Sequence, residues 1–180
     1  MTQNHQDLCL LSIANAAPLI QKGEISPVEL TEAFLARIET IDKRVKSYIT
    51  LMADTAMTEA RLAESQIMQG DYHGPLHGIP IALKDLYDTK GIRTTGQSKV
   101  LENRVPTKDA TATRLLKEAG AIILGKLAMH EFALGGPQTS LFEQACNPWN
   151  LDHVTGGSSS GSGAAVAAAL CMGALGSDTA

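Results

Sequence analysis

Eight consecutive small residues, Gly156-Gly157-Ser158-Ser159-Ser160-Gly161-Ser162-Gly163, run directly into a stretch of alanine, valine and leucine. Residues this small cannot fill a core, so something other than packing sets the run. Three readings compete. A phosphate loop ends in Gly-Lys-Ser or Gly-Lys-Thr, and Gly161-Ser162-Gly163 offers no lysine. The Gly-x-Ser-x-Gly elbow is matched at 157–161, yet that arrangement takes its histidine from after the serine, and the last histidine here is His153. A flexible linker suits the composition but does not open straight into an apolar helix. A helix N-terminus carries unpaired amides and a partial positive charge, so a serine-rich loop feeding one suits acyl transfer, where negative charge develops on oxygen.

A serine hydroxyl needs a base to take its proton. With no downstream histidine, the candidate is a lysine kept neutral by burial. Lys84 ends the apolar run Ile79-Pro80-Ile81-Ala82-Leu83. Strand alternation puts Ala82 and Lys84 on one face and Leu83 and Asp85 on the other, so Asp85 need not pair with Lys84 and hold its proton.

These groups need a frame. Ser26-Pro27-Val28-Glu29 reads as a capping box with proline at the first helical position. Leu30, Phe34, Ile38 and Ile41 then share one face, which predicts a helix over 27–42. Further helices are predicted over 8–22 and 54–69, stopped by Gly23 and Gly70, with a strand at 48–52 between the last two. After Gly70 the pattern predicts a turn-rich loop, a strand at 79–84, a helix at 110–119, a strand at 121–125, an irregular passage from Gly135 to Thr155, an alanine-rich helix after the Gly/Ser run and a strand at 172–175. Strand, helix, strand makes an α/β unit.

Lys plus Arg number 15 against 19 for Asp plus Glu, a net charge of −4, which gives no reason to expect nucleic-acid binding. Cys9, Cys146 and Cys171 are odd in number and widely spaced, which argues against a disulfide framework and a zinc site and makes a reducing cytoplasm the default. The N-terminus lacks a signal pattern, and the longest small and apolar run, 163–176, is short of the roughly 20 residues a membrane span needs. The local reading of other conspicuous residues is plain. Trp149 in Asn147-Pro148-Trp149 reads as a packing and turn element, His130-Glu131 as a local hydrogen-bonding pair and Cys171 as core. His73 and His77 flank a loop with no evident partner.

Together, Gly78-Ile79-Pro80-Ile81-Ala82-Leu83-Lys84-Asp85, Gly125-Lys126-Leu127-Ala128-Met129-His130-Glu131-Phe132, Asn147-Pro148-Trp149, the Gly/Ser run and Gly176-Ser177-Asp178-Thr179-Ala180 resemble the amidase signature family over nearly the whole chain. The resemblance implies an α/β fold, a mixed sheet flanked by helices, and a serine hydrolase that uses a Ser, cis-Ser, Lys triad on carboxamides without metal or organic cofactor. By motif position Lys84 is the base, Ser158 the cis-serine bridging lysine and nucleophile, and Ser159 a supporting hydroxyl. Backbone amides around Thr179 and Ala180 hold the oxyanion, and Gly135 is the candidate for substrate contact.

In that family the last motif runs Gly-Ser-Asp-Thr-Gly/Ala-Gly-Ser, and its closing serine is the nucleophile. Here only Thr179 and Ala180 follow Asp178. The resemblance therefore implies the N-terminal part of a longer amidase, inactive alone, with residues 1–70 a helical segment packing on the core and 71–180 the first part of the core domain. Thr155 stands where proline is usual and Ala128 where asparagine is common, departures that bear on substrate more than on chemistry. The implied activity is hydrolysis of a linear, small-molecule carboxamide in the cytoplasm, by a protein that can form a homo-oligomer. The alternative is the glutaminase subunit of a tRNA-dependent amidotransferase, which passes its ammonia to partner subunits. A third reading is an inactive binding module.

Overall fold

The computed structural model describes residues 5–136 and 141–178. The chain begins with three helices, α1 (His5–Leu8), α2 (Ile13–Gln21) and α3 (Pro27–Val45). The single helix predicted over 8–22 is thus broken. Ser12 takes an extended conformation and its hydroxyl accepts from the Asn15 amide at 3.2 Å, so a new helix starts where a continuous one was expected. At the head of α3, Ser26 Oγ accepts from the amides of Val28 and Glu29 at 3.0 and 3.1 Å. Its own proton goes to the Glu64 carboxylate, which ties α3 to α4 (Ala53–Met68).

The main sheet has the order β1-β3-β2-β6, from β1 (Tyr48–Leu51), β2 (Pro80–Lys84), β3 (Ile122–Leu127) and β6 (Gly173–Leu175). β2 runs parallel to β3 and β6, and β1 antiparallel to β3, so the sheet is mixed. β2 and β3 are buried along their whole length, which matches their continuous apolar runs. α5 (Thr111–Glu118) links them, and β3 extends two residues past its predicted end to take in Lys126 and Leu127. One hydrophobic cluster joins Leu30, Phe34 and Ile38 of α3 to Leu83, Ile123, Leu124 and Leu127 of the sheet.

The passage expected to be irregular holds a hairpin, β4 (Cys146–Asn147) with β5 (Asn150–Val154). The Asn147 side chain accepts from the Trp149 amide at 3.0 Å and shapes the turn. Trp149, however, is 86% exposed, because a two-residue hairpin tip carries it away from the core; it is a turn element and not a packing one. α6 (Ser160–Ala167) begins inside the Gly/Ser run rather than after it, taking in Ser160 to Gly163 as its first turn, and leads to β6. Among the described residues, no helix is long and apolar enough to cross a membrane.

Candidate active site

Lys84 closes β2 with its side chain fully buried. Its Nζ lies 2.7 Å from Ser158 Oγ, 3.0 Å from Ser159 Oγ and 2.8 Å from Ser177 Oγ. Burial holds the amine below the ordinary lysine range, and the Asp178 carboxylate pulls the other way. One amine therefore meets three hydroxyls, two from the loop before α6 and one from the loop after β6. An ammonium donates three hydrogen bonds; a neutral amine has a lone pair and can instead accept a hydroxyl proton.

The three hydroxyls are not equivalent. Ser159 Oγ donates its single proton to the Ser177 carbonyl at 3.2 Å and accepts from the Ser177 amide at 3.1 Å and from Lys84. One donor and two lone pairs are then all engaged. Ser158 Oγ has Lys84 as its partner among the described residues, which leaves capacity for a second group. Ser160 Oγ, one position further on, is buried without a partner among the described residues.

The serine loop is anchored at both ends by close approach. Gly161 donates its amide to Ala128 O at 2.8 Å, and a Cβ there would lie 2.5 Å from Ala128 N and 2.6 Å from Ser47 O. Only glycine lets α6 dock so tightly on the end of β3. Gly157 lies under the His130 imidazole, where a Cβ would come within 2.2 Å of the ring, and the peptide from Gly157 to Ser158 is cis. The Ser158 carbonyl accepts from the His130 amide at 2.9 Å. The His130 ring reaches Gly135 O at 3.1 Å through Nδ1, so its role is to brace the loop; the pairing with Glu131 expected from their adjacency is replaced by this contact. Gly135 thus connects to the serine loop through His130 and lines a cavity of about 260 Å³ with Glu131, Phe132, Leu134 and Gly136. Thr179 and Ala180 lie outside the described residues.

Asp85 faces away from Lys84, as alternation requires. Its Oδ1 lies 3.2 Å from Lys126 Nζ in a pair with both side chains fully buried, and its Oδ2 accepts from the amide and hydroxyl of Thr95 at 2.8 and 2.6 Å. Lys126 Nζ also donates to Tyr87 O at 2.8 Å and Thr94 Oγ1 at 2.7 Å. Sequence reasoning missed this cluster and missed Ser177 as a partner of Lys84. A lysine inside an apolar run, Ile122 to Leu127, was the available signal for the first. His77 is a further correction. It is buried, stacked on His73 with ring centroids 4.3 Å apart, accepts from the His73 amide at 3.1 Å and lies 3.2 Å from Gln66 Oε1. The chain reversal after Gly70 folds these partners together, a contact that periodicity does not reveal.

Comparison with known proteins gives this geometry a context. The chain is 52% identical over 170 residues to a glutamyl-tRNA(Gln) amidotransferase subunit from Desulforapulum autotrophicum and 50% identical to the protein of the same name from Geobacter metallireducens, covering 94% of this chain in both cases. It spans about a third of the length of these curated relatives, 34% and 35%. Among solved structures, a peptide amidase from Stenotrophomonas maltophilia superposes with a TM-score of 0.84 at 34% identity, covering 90% of this chain and 35% of that one. A fatty acid amide hydrolase superposes at 0.91 with 29% identity, covering 99% of this chain and 32% of the other. Residues 29–180 match the amidase family. A match that runs from the first turn of α3 through the serine loop, joined to this likeness of fold, means that the chain belongs to the amidase family.

Proposed function

We propose that this chain is the N-terminal part of the glutaminase subunit of a tRNA-dependent amidotransferase, and that its site cleaves the side-chain amide of glutamine through an acyl-enzyme. Neutral Lys84 takes the proton of Ser158 while Ser158 takes that of the nucleophile, the serine four residues past Asp178 in the family's motif, supplied by the longer protein. The nucleophile adds to the amide carbonyl, and amides around Thr179 and Ala180 hold the oxyanion. The C–N bond breaks as the proton returns through Ser158 to the departing ammonia, and water then resolves the acyl-enzyme by the same relay. Ser159, with all its hydrogen-bonding capacity engaged, supports the loop, and Gly135 is assigned the substrate contact. No cofactor enters this scheme.

The observation that carries the chemistry is the 2.7 Å contact between buried Lys84 and Ser158, the serine with capacity for a second partner. The substrate rests on the relatives: identity to the amidotransferase subunits is 50–52%, against 29–34% for the two solved amide hydrolases. The reading as a free-standing hydrolase of linear carboxamides has the TM-score of 0.91 to a fatty acid amide hydrolase in its favour. The experiment is a substrate comparison with the full-length protein, alone and with its co-expressed partner subunits, on L-glutamine and on propionamide. Ammonia release from glutamine that rises with the partners present supports the proposal. Turnover of propionamide alone, with glutamine inert in both preparations, replaces it with the hydrolase reading.

A further inference from the structure

We infer that Tyr87 is a positioning residue for this reaction, clamping the end of β6 so that Ser177 is held against the Lys84 amine; the inference rests on the reading of Lys84 as the base. The parallel ladder between β2 and β6 ends at the pair Leu83 and Leu175. Past that point, among the described residues, no sheet pairing holds Gly176 and Ser177 beside Lys84, and side chains take over. Tyr87 OH donates to Gly176 O at 2.6 Å, and one residue on, Ser177 Oγ lies 2.8 Å from Lys84 Nζ.

Tyr87 is itself secured at both ends of its main chain. Its amide donates to Lys84 O at 3.0 Å, and its carbonyl accepts from Lys126 Nζ at 2.8 Å. Lys126 is pinned in turn by Asp85 and Thr94. The buried ion pair on one face of the sheet thus fixes a loop whose phenol reaches round to the other face. Ser177 also meets Ser159 through its amide and carbonyl, so the clamp on Gly176 sets the spacing of two of the three hydroxyls around Lys84. A carbonyl left without the phenol can turn to water at this exposed edge, and Ser177 then swings with it.

The test is Tyr87→Phe in the full-length protein, which removes the hydroxyl and keeps the ring, assayed beside Lys84→Ala on the amide that the wild type hydrolyses. The expected result is a fall of about tenfold in kcat, the rate equivalent of one hydrogen bond at the strong end of the usual range, with KM little changed. The ascending limb of the pH–rate profile should move to lower pH, because Lys84 loses a hydroxyl acceptor that favours its charged form. Wild-type kcat with an unmoved limb overturns the inference. So does a fall in both kcat and melting temperature with the limb unmoved, which would make the bond merely structural. If Lys84→Ala keeps wild-type turnover, the reading of the site fails and the inference with it; if Lys84→Ala is inactive while Tyr87→Phe is unaffected, only the inference fails.

Discussion

Lys84 and Lys126 stand at the ends of neighbouring parallel strands, one register step apart, and both side chains are fully buried. Leu83 pairs with Lys126 and Lys84 with Leu127, so the two amines point to opposite faces of the sheet. On one face the amine meets hydroxyls; on the other it meets the Asp85 carboxylate. Burial drives both below the ordinary lysine range, but around Lys126 the Asp85 carboxylate opposes that shift at contact distance. A buried lysine paired with a carboxylate is held as a charge and organises backbone. One among hydroxyls can give up its charge and accept a proton. Burial alone therefore does not mark a base; the kind of partner does.

The sharpest way to break this contrast is to remove each amine. Lys84→Ala in the full-length protein should lower amide hydrolysis by about 10²–10⁴-fold, the usual worth of a general base, while urea unfolding shifts little. Near-normal turnover would return Lys84 to a packing role. Lys126→Met should do the reverse at the level of folding. It leaves Asp85 buried and unpaired, which costs about 3–5 kcal/mol, and the combined Asp85→Asn and Lys126→Met protein should recover much of that loss. An unchanged urea midpoint for Lys126→Met would show that the pair carries no structural charge.

A gentler test uses pH. With the Lys84 pKa lowered by folding, the unfolded chain binds more protons in the window between the folded and ordinary lysine values, so stability rises with pH there. In the same window the rate rises as the base becomes neutral. Lys84→Ala should flatten its share of the stability slope, and an identical slope in wild type and variant would remove the evidence for a lowered pKa.

The smallest effect concerns the same rule applied to a thiol. Burial pushes Cys171 up to about 12, against the opposing hydrogen bond with Tyr48. Native protein at pH 8 should leave Cys171 unalkylated by iodoacetamide while denatured protein labels it, as peptide mass mapping reports. Labelling of Cys171 in the native state would show that its thiol is open to solvent.

Much of the frame was legible because its signals are local. Ser26 and Pro27 start α3 through bonds to amides two and three residues away, and the apolar run ending at Lys84 becomes a strand buried throughout. Helix 8–22 misled because periodicity continued across Ser12, whose hydroxyl offered its own amide partner and restarted the helix. The hairpin at 146–154 escaped notice because one of its strands has only two residues, too few to show alternation.

The amino-acid sequence by itself determined that a lysine would end a buried strand, that a glycine-serine loop would open a helix, and that alternation would turn Asp85 away from Lys84. The resemblance joined Ser158 to Lys84, but only the tertiary structure brought Ser177 to that amine and decided what Lys126 would meet. Ser158 is 74 positions from Lys84 and Ser177 is 93 away, and they arrive because β6 lies parallel beside β2 while α6 docks through Gly161 on the end of β3. Lys126 and Asp85 meet because the register of two parallel strands puts them on the same face. Periodicity and capping act over a few residues, whereas register and docking are set by packing of the whole sheet, and the protonation chemistry of a buried amine follows from the partners that packing brings to it.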